Sequence, residues 1–186
     1  QYNTIDKGRN SSVYGRQRLI ETLTAFEQWE TLRELGGTMY LEPHVKDAEG
    51  ALRAYAMGRA AGHLGDLDAL AASIGELEAM IAELKVERAE AVDEAEEEAL
   101  AADKNGEDVR KAMADALKSF DGRLGTLRRN VASLEALGDL ARGEDEKEAL
   151  EALKDARYDR IHLARMMVES GDKKLVKEAV KTARAA

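Results

Sequence analysis

Two apolar heptad patterns of similar length, separated by a short turn, restrict this chain more than any other feature of its sequence. In the first pattern the apolar residues alternate three and four positions apart, at Leu67, Leu70, Ile74, Leu77, Ile81 and Leu84. The second pattern has the same spacing, at Met113, Leu117, Phe120, Leu124, Leu127, Val131 and Leu134. This spacing places an apolar stripe along one side of an α-helix. The turn signal Lys104-Asn105-Gly106 lies between the two patterns. The two patterns and the turn between them therefore predict a long antiparallel, coiled-coil-like helical hairpin over residues 66–142.

The second helix of this hairpin carries two glycines, Gly122 and Gly125, within its apolar pattern. A glycine inside a helix costs about 1 kcal/mol relative to alanine. The pair therefore marks either a close approach of the two helices or a break near Asp121. Because the spacing of apolar residues does not change across the glycines, we expect one continuous or mildly kinked helix from about Glu107 to Arg142.

The composition favours helices and excludes several classes of protein. Aromatic residues make up only 4% of the chain, so strand-forming residues are scarce and an all-α fold is expected. The absence of cysteine excludes disulfide bridges, thiolate metal sites and a cysteine nucleophile. No uncharged stretch approaches the ~20 residues that a membrane span requires. The net charge of −9 argues against general nucleic-acid binding.

Shorter helices are expected on both sides of the hairpin. Residues 1–15 lack helical periodicity, and we expect them to form an extended N-terminal arm. Residues 16–65 are expected to form the N-terminal helices, with a break near Phe26 and a loop after Gly36-Gly37. Residues 143–186 are expected to form a short helix followed by a C-terminal helix pair.

Two stretches that lie 106 residues apart repeat one pattern of small, charged and turn-forming residues. The first stretch contains Gly58, Arg59, Gly65 and Asp66, and the second contains Ala164, Arg165, Gly171 and Asp172. The later glycine of each pattern predicts the turn that ends a helix, and the aspartate predicts the N-cap of the next helix. The small residue seven positions before the turn would let two helices approach closely. Weaker copies of the turn occur at Gly143 and at Phe26-Glu27.

This pattern resembles the tetratricopeptide (TPR) repeat, a helix-turn-helix unit whose copies stack side by side. The resemblance implies TPR-like helix pairs in residues 16–65 and 143–186, with the long hairpin inserted between them. In that family the first helix of each pair lines a concave groove. The positions that match this face include Gly62 and Ile161, and the candidate partner-binding residues among them are Tyr55, Arg59, Tyr158 and Arg165.

Two guanidinium groups and two tyrosines in such a groove would suit an acidic or C-terminal peptide. Arginine binds a carboxylate through two parallel hydrogen bonds. The alternative is that Arg59 and Arg165 form ion pairs within the fold. More loosely, residues 107–175 are similar to helical regions beside thioredoxin-like (redoxin) domains in some large bacterial proteins.

No pattern in the sequence predicts a catalytic, cofactor-binding or metal-binding residue. His44, His63 and His162 lack the spacing of metal ligands, and His63 is expected to interact with the dipole at a helix end. The paired carboxylates of residues 93–98 are expected to form a solvated acidic face. The glycines of residues 58–65 do not follow a strand, so they do not predict a phosphate-binding loop.

The sequence therefore predicts a non-catalytic helical-repeat module for protein–protein interaction or scaffolding, without a cofactor. Its partner would be a protein, a peptide or a neighbouring domain of the same chain, and nucleic acid is not expected. Two alternatives remain open. The chain could be a helical accessory region of a larger enzyme, for example one with a redoxin-like domain, whose chemistry lies outside this segment. It could also be a self-associating coiled-coil structural protein, that is, a homo-oligomer. The sequence indicates no cellular compartment.

Overall fold

The structure is a computed structural model that describes residues 11–41 and 47–184. Within these ranges the chain forms helices and no strands, so the all-α prediction is confirmed. The helices are α1 (Ser11–Ala25), α2 (Trp29–Leu35), α3 (Asp47–Leu64), α4 (Leu67–Ala101), α5 (Gly106–Ser119), α6 (Asp121–Arg142), α7 (Glu146–Asp155), α8 (Arg160–Glu169) and α9 (Lys173–Arg184). None of the described helices is both long enough and apolar enough to cross a membrane.

The first helix begins earlier than the sequence indicates. Residues 11–15, which were expected to belong to the extended arm, form the first turn of α1, whereas residues 1–10 lie outside the described part of the chain. The Nε atom of Arg18 donates to the Tyr14 hydroxyl over 3.0 Å, and its guanidinium lies 5.0 Å from the centre of the tyrosine ring. This contact between residues four apart stabilises the first turn of the helix.

The second heptad pattern forms two helices, α5 and α6, separated by Phe120. The expected continuous or mildly kinked helix is therefore interrupted, at the break near Asp121 that the glycines had left open. The break falls at Phe120, whose amide donates to the carbonyl of Leu117 over 3.3 Å. The hydroxyl of Ser119 donates to the carbonyl of Ala116 over 2.7 Å. That carbonyl is the one that the amide of Phe120 would use in an α-helix, so the serine competes with the backbone at this point.

Helix α4 lies alongside α5 and α6 and runs in the opposite direction. Glu87 of α4 pairs with Arg123 of α6 over 3.7 Å. Closer to the start of α4, a Cβ atom at Gly138 would lie 3.1 Å from the Cδ2 atom of Leu70. Residue numbers thus rise along α4 as they fall along α6. The interface buries leucines from both heptad patterns: Leu70, Leu77, Leu84, Leu124, Leu127 and Leu134.

Within residues 11–41 and 47–184, six helix ends share one turn geometry, in which a residue with positive φ follows the last helical turn. Gly65, Gly143 and Gly171 have φ values of 71° to 72°, as expected for glycines that end a helix. The three other turns use residues with side chains: Glu27 (52°), Asp103 (53°) and Arg157 (59°). The predicted N-caps are also confirmed. Asp66 accepts a hydrogen bond from the amide of Ala69, and Asp172 accepts from those of Lys174 and Leu175.

The buried apolar residues form two clusters that meet on α3. The larger cluster joins α3, α4 and α6 to α7, α8 and α9. The smaller cluster joins α1 and α2 to the other side of α3, and its members are Ile20, Trp29, Leu32, Leu41, Ala56 and Ala60. Because α3 contributes alanines to both clusters, it lies between them and is packed on both sides.

Candidate functional site

A cluster of polar and aromatic side chains lies where the turn between α1 and α2, the helix α3 and the start of α8 come together. We call it the polar cluster; its members are Glu27, Trp29, Arg59, His63, Tyr158 and His162. Arg59 and His63 are four residues apart on α3, so they lie on one face of that helix. Tyr158 and His162 have the same spacing at the start of α8, where Asp159 is the N-cap.

The guanidinium of Arg59 occupies the centre of the polar cluster. Its Nε atom donates to the hydroxyl oxygen of Tyr158 over 3.1 Å, and an Nη atom lies 3.0 Å from Nδ1 of His162. The Cζ atom lies 4.6 Å from the ring centre of Tyr158 and 5.3 Å from that of Trp29. Arg59 is only 8% exposed, so its charge is held by hydrogen bonds and aromatic faces, with little water.

His63 and Tyr158 share one short hydrogen bond of 2.7 Å between Nε2 and the hydroxyl. Burial raises the pKa of Tyr158 to about 12, so the hydroxyl keeps its proton. Since the hydroxyl oxygen already accepts from Arg59, its proton is directed to His63. Burial, and then the charge of Arg59, lower the pKa of His63 to about 4.

The neutral ring of His63 stacks on the indole of Trp29, with 4.4 Å between ring centroids and 7° between planes. The expectation that His63 interacts with a helix dipole therefore misses its main contacts. A helix C-terminus favours a protonated histidine. This ring is kept neutral by burial and by the neighbouring Arg59.

His162 connects the polar cluster to a pair of charges at its edge. Burial is the main cause that lowers the pKa of His162, and Arg59 lowers it further, although Asp159 acts in the opposite direction. Nδ1 of His162 lies 3.0 Å from an Nη atom of Arg59 and 3.1 Å from a carboxylate oxygen of Asp159, while Nε2 lies 3.4 Å from a carboxylate oxygen of Glu27. The other oxygen of Glu27 pairs with Arg165, which also contacts Glu169 over 3.2 Å.

The four candidate partner-binding residues lie together, but in an arrangement that differs from the expected open groove. Arg59 and Tyr158 are buried, and they hydrogen-bond to each other. The Tyr55 hydroxyl lies 3.1 Å from the hydroxyl of Ser133 on α6. Only Arg165 is half exposed, with its charge paired to Glu27 and Glu169. The alternative of internal ion pairs therefore holds for Arg165, whereas Arg59 contacts a tyrosine and a histidine.

Four members of the polar cluster were not identified as site residues from the sequence: Glu27, Trp29, His63 and His162. The available signal was the shared spacing of Arg59 with His63 and of Tyr158 with His162. That spacing shows which residues share a helix face, but it does not show that the two faces meet. His44 lies outside the described residues.

Comparison with known proteins gives no match, whether with protein-family models, with curated proteins or with solved structures. Within residues 11–41 and 47–184, no group of three or more histidine, aspartate or glutamate side chains is arranged to hold a metal ion. The geometry of the polar cluster shows what it does in the fold. It joins the turn before α2, the helix α3 and the start of α8 through side chains.

Acidification is expected to destabilise the fold through His63. Its pKa in the fold is about 4 against an ordinary value of 6.5, so the unfolded chain binds a proton between these values that the folded chain does not. The contribution is present above pH 6.5 and is lost as the pH falls towards 4. Allowing for the partial exposure of the ring, we expect a loss of about 2 kcal/mol in the free energy of unfolding over this interval. Urea denaturation followed by circular dichroism measures it.

The control for this prediction is His63→Gln, which keeps a polar group beside Tyr158 but does not titrate. This variant should be less stable at neutral pH and should lose part of the pH dependence between pH 6.5 and 4. The remaining dependence would come from His162 and from carboxylates. An unchanged pH dependence in His63→Gln would contradict the assignment.

Proposed function

We propose that this chain is a non-catalytic, TPR-like helical module that binds another protein through the outer face of α8. The observation that carries the proposal is the exposure of two large apolar side chains on that face. Ile161 is 66% exposed and Val168 is 53% exposed. They are seven residues apart, which is two helical turns, so they point in the same direction. Burial of such a pair by a partner would be favourable.

The opposite face of α8 is buried inside the fold. Leu163, Ala164 and Met167 are buried in the larger cluster. A helix that is apolar on two faces is typical of one that packs against neighbours on both sides. Within the described residues, α8 has such neighbours on the buried face only. The outer face is therefore the surface where a second protein helix would complete the packing.

Arg165 lies between Ile161 and Val168 on the outer face and is held in place by Glu27 and Glu169. Ile161 and Arg165 are also two of the positions that the TPR resemblance directs towards a partner. Phe26, which directly precedes Glu27, is 73% exposed and adds apolar surface to the turn that contacts Arg165. An amphipathic helix whose apolar stripe packs on Ile161 and Val168 is the partner that these side chains favour.

The pairing of helices supports the TPR-like part of the proposal. Helix α3 packs against α4, α6 against α7, and α8 against α9. Each of these pairs is connected by a turn with a left-handed glycine, at Gly65, Gly143 and Gly171. Consecutive helix pairs joined by one recurring turn are the arrangement by which helical repeats stack and present a continuous surface.

Site-specific photo-crosslinking in the organism's own cells tests the proposal. The photoreactive residue p-benzoyl-phenylalanine would replace Ile161 and, as a matched control, Leu100, which is 57% exposed at the far end of α4. We expect a discrete heavier adduct with a different polypeptide at position 161 and none at position 100. The additional change Val168→Glu should reduce the yield of that adduct by about tenfold or more, since it buries a charge in the contact. An adduct that contains only a second copy of this chain, or no adduct at position 161, would contradict the proposal.

A further inference from the structure

A shallow cleft of about 330 Å³ lies between α4 and α6, on the side of these helices away from the polar cluster. Its floor contains Ile81 and Val131, which are half-buried, and two exposed alanines, Ala82 and Ala132. The cleft is thus an apolar strip between two antiparallel helices, with small residues that permit another helix to approach. This is the surface from which a two-helix layer can become a four-helix bundle.

Charged side chains lie at the two ends of the cleft, with acidic residues at one end and basic residues at the other. Glu78 and Lys85 lie seven residues apart on α4, and Arg128 and Glu135 lie seven apart on α6. Because the helices are antiparallel, both glutamates are at one end of the cleft and both basic residues are at the other. The ion pairs that α4 makes with its neighbours use Glu76 and Glu87, so these four charges are unpaired among the described residues.

We propose that the occupant of this cleft is a second copy of the same chain, bound by two-fold symmetry. Consider an axis that lies in the interface and crosses the helices at the middle of the cleft. It places α4 antiparallel on the partner's α4 and α6 antiparallel on the partner's α6. Each acidic end then faces the basic end of the other copy, with Glu78 opposite the partner's Lys85 and Arg128 opposite the partner's Glu135. A surface that is its own electrostatic complement under a two-fold rotation is what an isologous dimer requires.

Symmetry also explains why the apolar residues lie where they do. The midpoint of Glu78 and Lys85 falls between Ile81 and Ala82, and the midpoint of Arg128 and Glu135 falls between Val131 and Ala132. The apolar pairs therefore meet their own copies at the centre, and the charges form the rim. Charged rims around an apolar helix seam select partner and orientation in coiled coils and bundles.

Charge reversal followed by sedimentation equilibrium of the full chain tests the dimer. Glu78→Lys with Glu135→Lys gives a cleft with basic groups at both ends, and Lys85→Glu with Arg128→Glu gives one with acidic groups at both ends. Each double variant should dissociate at least about 100-fold more readily than the original chain, because like charges face each other across the interface. An equimolar mixture of the two variants should restore the dimer, since opposite charges then meet.

The control is Glu94→Lys with Glu98→Lys, which changes the net charge by the same amount as Glu78→Lys with Glu135→Lys, at two exposed positions outside the cleft. This variant should dimerise like the original chain. Circular dichroism of all variants checks that they remain folded. An original chain that sediments as a monomer at all concentrations would overturn the proposal. So would a dimer that survives both double variants, because it would use another surface.

Discussion

Replacing Arg59 with alanine is expected to lower the free energy of unfolding by about 4 kcal/mol. The change removes a buried guanidinium together with its hydrogen bonds to Tyr158 and His162. It also removes a cation from the faces of Trp29 and Tyr158. The Tyr158 hydroxyl would lose its donor and keep only its hydrogen bond to His63, and a gap would replace the guanidinium. Such losses in a buried network reach several kcal/mol. Urea denaturation of both proteins at neutral pH measures the difference.

The matched control is Arg110→Ala, an exposed arginine on α5. This change should alter the free energy of unfolding by less than about 0.5 kcal/mol. A third variant, Arg59→Met, keeps the apolar part of the side chain and should recover some of the packing but none of the hydrogen bonds. If Arg59→Ala and Arg110→Ala proved equally stable, the polar cluster would not hold the three segments together.

Replacing Gly58 with valine is expected to cost about 3 kcal/mol, because α3 passes directly over α6 and α4 at this point. A Cβ atom at Gly58 would lie 2.9 Å from Leu134 Cδ2 and 3.0 Å from Ser73 Cβ, and closer still to Leu134 Cδ1. Leu134 is fully buried and Ser73 nearly so, so neither can move aside without disturbing the core. Overpacking a well-filled core costs about 1–3 kcal/mol, and valine adds two methyl groups beyond that first clash.

A second glycine provides a control, because its replacement is expected to raise the free energy of unfolding. Gly75 lies inside α4, and no atom lies within 4 Å of the position that a Cβ atom would take. Gly75→Ala should therefore raise the free energy of unfolding by about 0.5–1 kcal/mol through helix propensity alone.

A smaller residue at position 134 tests whether the clash with Leu134 is the cause of the loss. The double variant Leu134→Ala with Gly58→Val should lower the free energy of unfolding by less than the sum of the two single changes. Strict additivity would show that the clash is not with Leu134.

Local features of the fold were predictable because each depends on neighbours in sequence. The heptad spacing indicated the helical stretches, and the pairing of turn glycine with capping aspartate identified the connections at Gly65-Asp66 and Gly171-Asp172. The small residue at Gly58 was also recognised as a point of close approach. What the repeat did not show is that the closest contact is with Leu134 of α6, in addition to Ser73 of the paired helix α4.

The features that were missed depend on single hydrogen bonds or on distant residues. The break at Phe120 coincides with a side-chain hydrogen bond from Ser119 to the carbonyl of Ala116, and the apolar spacing is unchanged across it. The turn at Phe26-Glu27 was expected, but the left-handed backbone of Glu27, Asp103 and Arg157 was not, because none of the three is the glycine that usually signals it. In the polar cluster, Arg59 contacts residues about a hundred positions later in the chain, and no local pattern brings Tyr158 and His162 to it.

The division of the apolar core into two clusters determines the order in which backbone amides exchange their hydrogens with solvent. The smaller cluster closes α1 and α2 against one side of α3 with few large side chains, whereas the larger cluster joins six helices. Opening α1 and α2 exposes less apolar surface than opening the whole molecule, so it requires less free energy. We therefore expect the amides of α1 and α2 to exchange together and early, and those of α3, which is packed on both sides, to exchange more slowly. The boundary between fast and slow exchange is then expected to follow the interface between α3 and the first two helices.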